Sequence, residues 1–185
     1  MPSPRVAVST RASIASQNLA RQISTISQRM FVPPADLASF LRDANVHTYA
    51  AGENRTSHTT KGAIHFEYSN APWVFRDTYF GDDQFLGQEI VFFHEVPVWG
   101  ANYYGYTLIT IQKKAIYAFL KEALLQQHPA VPVRGPNQYR QRNLIYTNTP
   151  NGTLNSFQGI ERIYEAEALL YEGFYQGGMI RGREA

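Results

Sequence analysis

The sequence predicts an α+β fold: an antiparallel sheet carrying a few helices, built from two helix-plus-strands repeats, behind a basic N-terminal arm. Three observations lead there. Phe40-Leu41-Arg42-Asp43-Ala44 returns 79 residues later as Phe119-Leu120-Lys121-Glu122-Ala123. Downstream the offset is 72: Phe85, Gly87 and Glu89 return as Phe157, Gly159 and Glu161, and Tyr103 and Gly105 return as Tyr175 and Gly177. The connections between strand-like runs are too short for a parallel crossover, so the strands pair antiparallel. Internal repetition predicts a pseudo-twofold body, a single duplicated domain over 36–185 with repeats at about 36–108 and 110–180.

Residues 1–35 contain Arg5, Arg11, Arg21 and Arg29 and no acid. Ala12, Ala15, Leu19, Ile23, Ile26 and Met30 recur at steps of three and four, an apolar stripe along a helix that Pro33 and Pro34 would stop. This basic amphipathic arm reads in three ways. It is a segment docked on a protein partner through Arg11, Leu19, Arg21, Ile23, Ile26 and Arg29, or an organellar transit peptide, or an extension without a role.

In the first repeat, Leu37, Phe40, Leu41 and Ala44 have helical spacing. Ala63–Tyr68 and Trp73–Tyr79 then read as strands, and Gly52–Lys61 as a loop holding the seven residues by which the offsets differ. Glu89–Phe93 and Val98–Leu108 follow, with a turn at Glu95–Pro97. In the second repeat, Ile116, Phe119, Leu120, Ala123 and Leu124 have helical spacing. Asn143–Asn148, Glu161–Glu165 and Leu169–Tyr175 are strands, with a hairpin turn at Pro150-Asn151-Gly152 and another near Glu167.

The 185 residues are enough for one domain with its own core. Cysteine is absent, which excludes disulfides, thiolate metal sites and a cysteine nucleophile. Of the 17 basic side chains, four lie in the arm, and the remaining thirteen face 15 acids, so the body is mildly acidic and no direct nucleic-acid binding is expected. No apolar run is long enough to predict a transmembrane segment. The expected compartment is the cytoplasm, or an organelle if the arm is a transit peptide. No cofactor is implied.

Glu89 and Glu161 each lie on a largely apolar strand face two residues after a glycine. Buried carboxylates need partners, and the donors expected are Tyr103 and Tyr175 or Arg76. One reading is a ligand pocket between the repeats formed by Glu89, Trp99, Tyr103, Glu161 and Tyr175, where aromatic side chains offer an apolar body and a polar tip. The other is a structural role for the same groups. Asp77, beside Arg76, reads as an acid or base, or as half of a plain ion pair. His47, His58, His65, His94 and His128 lack the spacing of a zinc site, so no metal is expected. No phosphate-binding glycine loop and no nucleophile elbow is present. Gly177-Gly178 reads as a strand kink or a close backbone approach.

Several segments together resemble a bacterial domain of unknown function. They are Gly87-Gln88-Glu89; Pro97-Val98-Trp99 running into Asn102-Tyr103-Tyr104-Gly105; Phe119-Leu120-Lys121-Glu122-Ala123-Leu124; Arg134-Gly135-Pro136; Phe157-x-Gly159-x-Glu161; and Tyr175-Gln176-Gly177-Gly178. The resemblance covers about residues 36–180. It implies a compact domain, found alone or C-terminal to helix-turn-helix regulators, with a sensor role by analogy and no known catalytic residue. Here the basic arm stands where a DNA-binding domain would sit and is too short to be one. The function expected first is a non-catalytic module binding a small molecule or a protein. The alternatives are an assembly subunit docked through residues 1–35, and a hydrolase or isomerase using Glu89 or Asp77 as base.

Overall fold

A computed structural model describes residues 36–50, 57–109 and 113–180. The arm, with Arg11, Leu19, Arg21, Ile23, Ile26 and Arg29, lies outside the described residues.

Helix α1 spans Leu37–Asn45 and runs on into a π-helical turn, Val46–Ala50. Leu37, Phe40, Leu41 and Ala44 are buried, the one-sided stripe their spacing predicts. Five strands follow: β1 (Ser57–Thr60), β2 (Ala63–Asn70), β3 (Trp73–Gly81), β4 (Gln84–Phe93) and β5 (Val96–Thr107). Helix α2 (Lys113–Leu125) separates them from β6 (Gln138–Gln141), β7 (Leu144–Thr153), β8 (Ser156–Glu165) and β9 (Ala168–Met179). The nine strands make one sheet in the order β1-β2-β3-β4-β5-β9-β8-β7-β6, with neighbours antiparallel throughout. The α+β class and the antiparallel sheet are as the sequence predicts.

Both helices pack on one face of the sheet. Apolar residues of α1 bury against Trp73, Phe75 and Val91 in one cluster. Ile116, Phe119, Leu120, Ala123 and Leu124 of α2 bury against Tyr146, Ile163, Leu170 and Tyr171 in a second. Each buried Leu, Ile or Phe contributes roughly 1.5–3 kcal/mol, which is what holds helices this short in place. Asn45 ties the two helix ends together. Its buried amide donates to the carbonyls of Leu124, at the end of α2, and Pro132 at 3.2 and 3.1 Å.

The structure corrects several boundaries. The segment read as a loop over Gly52–Lys61 includes β1, which carries His58 and pairs with β2 through a turn at Lys61 (φ 50°) and Gly62 (φ 83°). The hairpin turn placed at Pro150–Gly152 falls later, at Leu154-Asn155, because β7 continues to Thr153. Strand β6 pairs β7 only as far as Thr147, so Pro150 sits where β7 is an edge, and an edge tolerates a residue without an N–H. Gly152 does supply a positive φ of 102°, but within the strand, where a Cβ would meet the carbonyl oxygen of Ser156 at 2.1 Å. The turn placed at Glu95–Pro97 is made by His94 and Glu95, at φ 47° and 66°. Strands β4 and β8 begin earlier than Glu89 and Glu161, where the sequence reading starts them, since Gly87 and Gly159 continue the ladder. Strand β6 carries no apolar alternation and was not legible. Gly177 is a close backbone approach, as expected: a Cβ there would lie 2.4 Å from the carbonyl oxygen of Gly100.

Candidate functional site

The helix-covered face of the sheet is polar at its centre. Three carboxylates, Asp77 on β3, Glu89 on β4 and Glu161 on β8, are buried there, with Asn148 on β7 and the guanidinium of Arg134 from the segment between α2 and β6. Strand register brings them together. Asp77 is directly opposite Glu89, and Asn148 is directly opposite Glu161. Tyr103 on β5 is opposite Tyr175 on β9 at the middle of the sheet.

Arg134 occupies the centre. It is 3% exposed and pairs with Glu89, which is 0% exposed, at 3.4 Å. Its guanidinium carbon lies 5.1 Å from the ring centroids of both Tyr103 and Tyr175, a double cation–π contact. The two tyrosine hydroxyls reach outward in opposite directions. Tyr103 donates to Asp77 at 2.7 Å and Tyr175 donates to Asn148 at 2.6 Å. Each ring fits because the residue opposite it on the neighbouring strand is a glycine. A Cβ on Gly87 would lie 2.3 Å from the Tyr103 hydroxyl, and one on Gly159 would lie 2.2 Å from that of Tyr175. Glu161 accepts hydrogen bonds from Tyr146 and Tyr171, both at 2.8 Å.

These placements revise the partners read from the sequence. Neither Tyr103 nor Tyr175 serves as the hydroxyl donor expected for Glu89 or Glu161. Arg76 pairs with Glu67 at 2.7 Å, on the opposite face from Asp77, as successive strand residues must. The Arg76–Asp77 ion pair is therefore excluded. Trp99 stands apart: it is fully buried, stacks on Phe157 at 5.7 Å and donates its indole N–H to Leu154. Arg134 was missed as the central cation. It follows no strand alternation, and the Arg134-Gly135-Pro136 motif was its only signal.

Beside this cluster lies a cavity of about 310 Å³ under α2. Its wall is aromatic and aliphatic, with Phe66, Phe85, Tyr171 and Leu120 among the lining residues, while Asp77, Tyr103, Glu161 and Arg134 supply polar groups and Lys121 lines it from α2. Of the five residues predicted to hold a ligand, Tyr103 and Glu161 line this cavity; Glu89 and Tyr175 contact Arg134.

Residues 77–180 match the domain of unknown function DUF5680, over more than half of the chain. The chain belongs to the DUF5680 family. The DUF5680 segment starts at Asp77 itself and takes in every member of the polar cluster, both α2 and the whole of β4 to β9; α1, β1 and β2 precede it. Comparison with curated proteins and with solved structures gives no match. No helix among the described residues is long and apolar enough to cross a membrane, and no three or more of their His, Asp or Glu side chains are placed so that they could hold a metal ion together.

The DUF5680 cluster also sets a pH response. Burial first, and then the charge of Glu161, pushes the Tyr146 and Tyr171 hydroxyls well above the ordinary value of 10.0. Burial pushes Tyr175 up to about 12. The unfolded chain releases these protons from about pH 10, while the native state keeps them, so the native state binds more protons. Stability from these groups is complete below pH 10 and falls as pH rises, by about 1.4 kcal/mol per unit for each phenol that ionises only in the unfolded chain. Urea midpoints are expected to be flat for these groups up to about pH 10 and to drop beyond it. Absorbance at 295 nm should show the buried phenols ionising only as the protein unfolds; their titration in the folded state near pH 10 would refute this.

Proposed function

We propose that the protein is a non-catalytic binding module, built from two repeats, that takes a small molecule in the cavity under α2. The single observation carrying this reading is the cavity itself. It has an apolar and aromatic wall with polar groups converging at one end, which is the construction of small-molecule sites, and its size is at the lower end of their range. The ligand has an apolar or ring-containing body against Phe66, Phe85 and Leu120 and a polar head toward Asp77, Tyr103 and Arg134. A sensor role, implied by the family resemblance, would act through the same cavity.

The two-repeat construction is supported by contacts that recur in both halves, at spacings close to the sequence offsets. Phe40 stacks on Tyr68 at 5.7 Å and 27°, and Phe119 stacks on Tyr139 at 5.5 Å and 28°. The β4–β5 pairing is irregular between Val91 and Phe92, and the β8–β9 pairing between Ile163 and Tyr164, 72 residues on. The strand order reads β2-β3-β4-β5 from one side and β6-β7-β8-β9 from the other, and Tyr103 meets its counterpart Tyr175 at the centre.

Native mass spectrometry of the purified full chain tests the binding reading. The wild type is expected to retain a small molecule or to acquire one from a metabolite mixture. Leu120→Trp fills the cavity from α2 and should abolish the bound mass while near-ultraviolet circular dichroism shows a folded chain. A wild type that only ever appears at its bare mass would sink the reading.

A further inference from the structure

The face of the sheet away from α1 and α2 carries two parallel rows of side chains that run across the strands. In the first, register sets Phe80, Leu86, Tyr104, Phe174 and Ile160 side by side on β3, β4, β5, β9 and β8. The first four are exposed, by 46%, 55%, 41% and 39%. The second row lies two residues along each strand. There Gln88, Asn102, Gln176, Gln158 and Asn151 stand side by side on β4, β5, β9, β8 and β7, all exposed. Within it Gln88 donates to Asn102 at 3.3 Å.

The 72-residue offset exchanges the two rows. Leu86, Tyr104, Phe174 and Ile160 correspond to Gln158, Gln176, Asn102 and Gln88. The pairings correspond as well: Leu86 faces Tyr104 as Gln158 faces Gln176, and Phe174 faces Ile160 as Asn102 faces Gln88. The same strand pairing thus forms with amides at these positions, so the exposed apolar row is not something the sheet requires. A contiguous apolar patch that the fold does not need points to a binding surface. Two depressions, of about 590 and 780 Å³, flank the amide row. Asn102, Asn151, Gln158 and Gln176 line both, with Tyr104 and Phe174 in the first.

The chemistry of the rows selects the ligand. An amide donates and accepts hydrogen bonds and carries no charge. The rings of Tyr104 and Phe174 offer apolar faces beside it. Neither row contains a cation to receive phosphates. Beyond the apolar row, Arg162 and Glu172 pair with each other at 2.7 Å. A fitting ligand is neutral, apolar on its flat faces and edged with hydroxyl groups, which describes a sugar ring. With strands about 4.8 Å apart, a row across five of them runs roughly 19 Å, a length that suits a chain of sugars. Independently of the cavity under α2, we propose that this sheet face binds a neutral oligosaccharide lying across the strands. Its rings lie against Tyr104 and Phe174, and its hydroxyls are held by Asn102, Gln158 and Gln176.

The test uses the full-length protein and saturation-transfer NMR titrations with cellohexaose, maltohexaose, mannohexaose and xylohexaose, and with the anionic hexagalacturonate. The wild type is expected to bind at least one neutral hexasaccharide saturably, and at least ten-fold more tightly than hexagalacturonate. The double variant Tyr104→Gln with Phe174→Asn installs the residues found at the corresponding positions of the other row, and should lose at least ten-fold. Gln176→Leu removes an amide and should lose as much, and it decides alone if the double variant lacks a folded near-ultraviolet circular dichroism spectrum. Val46→Gln, which removes an exposed apolar side chain from the turn after α1, should bind as the wild type does. The proposal is overturned if no neutral hexasaccharide binds, if hexagalacturonate binds equally well, or if a folded double variant or Gln176→Leu binds like the wild type. A dimer in sedimentation velocity that the double variant dissolves, with no saccharide bound, would assign the face to a second copy of the chain and overturn it likewise.

Discussion

Arg134→Met is expected to destabilise the protein by about 3–5 kcal/mol, because it removes the cation from a buried carboxylate cluster and leaves Glu89 charged in a site it cannot leave. Against a typical total of about 5–15 kcal/mol this is a large fraction, and it corresponds to a drop in melting temperature of roughly 10 °C for a domain of this size. The loss goes beyond one ion pair. The guanidinium also lies over Tyr103 and Tyr175, so its removal releases both rings from the contact at the middle of the sheet. The double variant Arg134→Met with Glu89→Gln separates the contributions. Removing the charge on Glu89 should recover at least half of the loss, as measured by urea denaturation. If the double variant is no more stable than the single one, the cost comes from packing and the electrostatic account is wrong.

Glu161→Ala should have a comparable effect by a different route. The carboxylate accepts from two buried hydroxyls, Tyr146 and Tyr171, and its loss leaves both donors without a partner while opening space between β7 and β9. An unsatisfied buried polar group costs about 1–3 kcal/mol, so two of them together with the void give an expected loss of about 3–5 kcal/mol. Glu161→Gln keeps the shape and one acceptor oxygen, and its amide can donate to the other hydroxyl. It should cost only about 1–2 kcal/mol. Equal losses in the two variants would show that the charge of Glu161, rather than its hydrogen bonding, is what the fold depends on.

Read alone, the sequence determined the class of the fold and the identity of most polar groups at its centre. Local spacing decides which face of α1 and α2 is apolar, and alternation decides which strand residues point inward, so Phe40, Phe119, Glu89 and Glu161 were assigned to the interior without coordinates. Short connections decided antiparallel pairing. Self-comparison of the chain singled out Tyr103 and Tyr175, which the register of β5 and β9 brings face to face.

The tertiary structure alone decided which groups meet. Arg134 comes from an irregular segment between α2 and β6, where no periodicity says which way a side chain points, and only the folded chain directs it onto Glu89. Asp77 looked like the partner of its neighbour Arg76, but strand geometry sends adjacent residues to opposite faces, and the partner on the inner face is Tyr103 from a strand two places away in the sheet. Trp99 and Tyr103 share a strand face, yet one is sealed against Phe157 and the other lines a cavity, a distinction made by what packs above the sheet. Propensity and alternation act over a few residues, and the register of one strand against another, together with the helix laid over them, is settled by packing across the whole sheet. For that reason the carboxylates and the paired tyrosines of the polar centre were legible in the sequence, while Arg134 and Asn148, the ion pair at its heart and the cavity beside it were not.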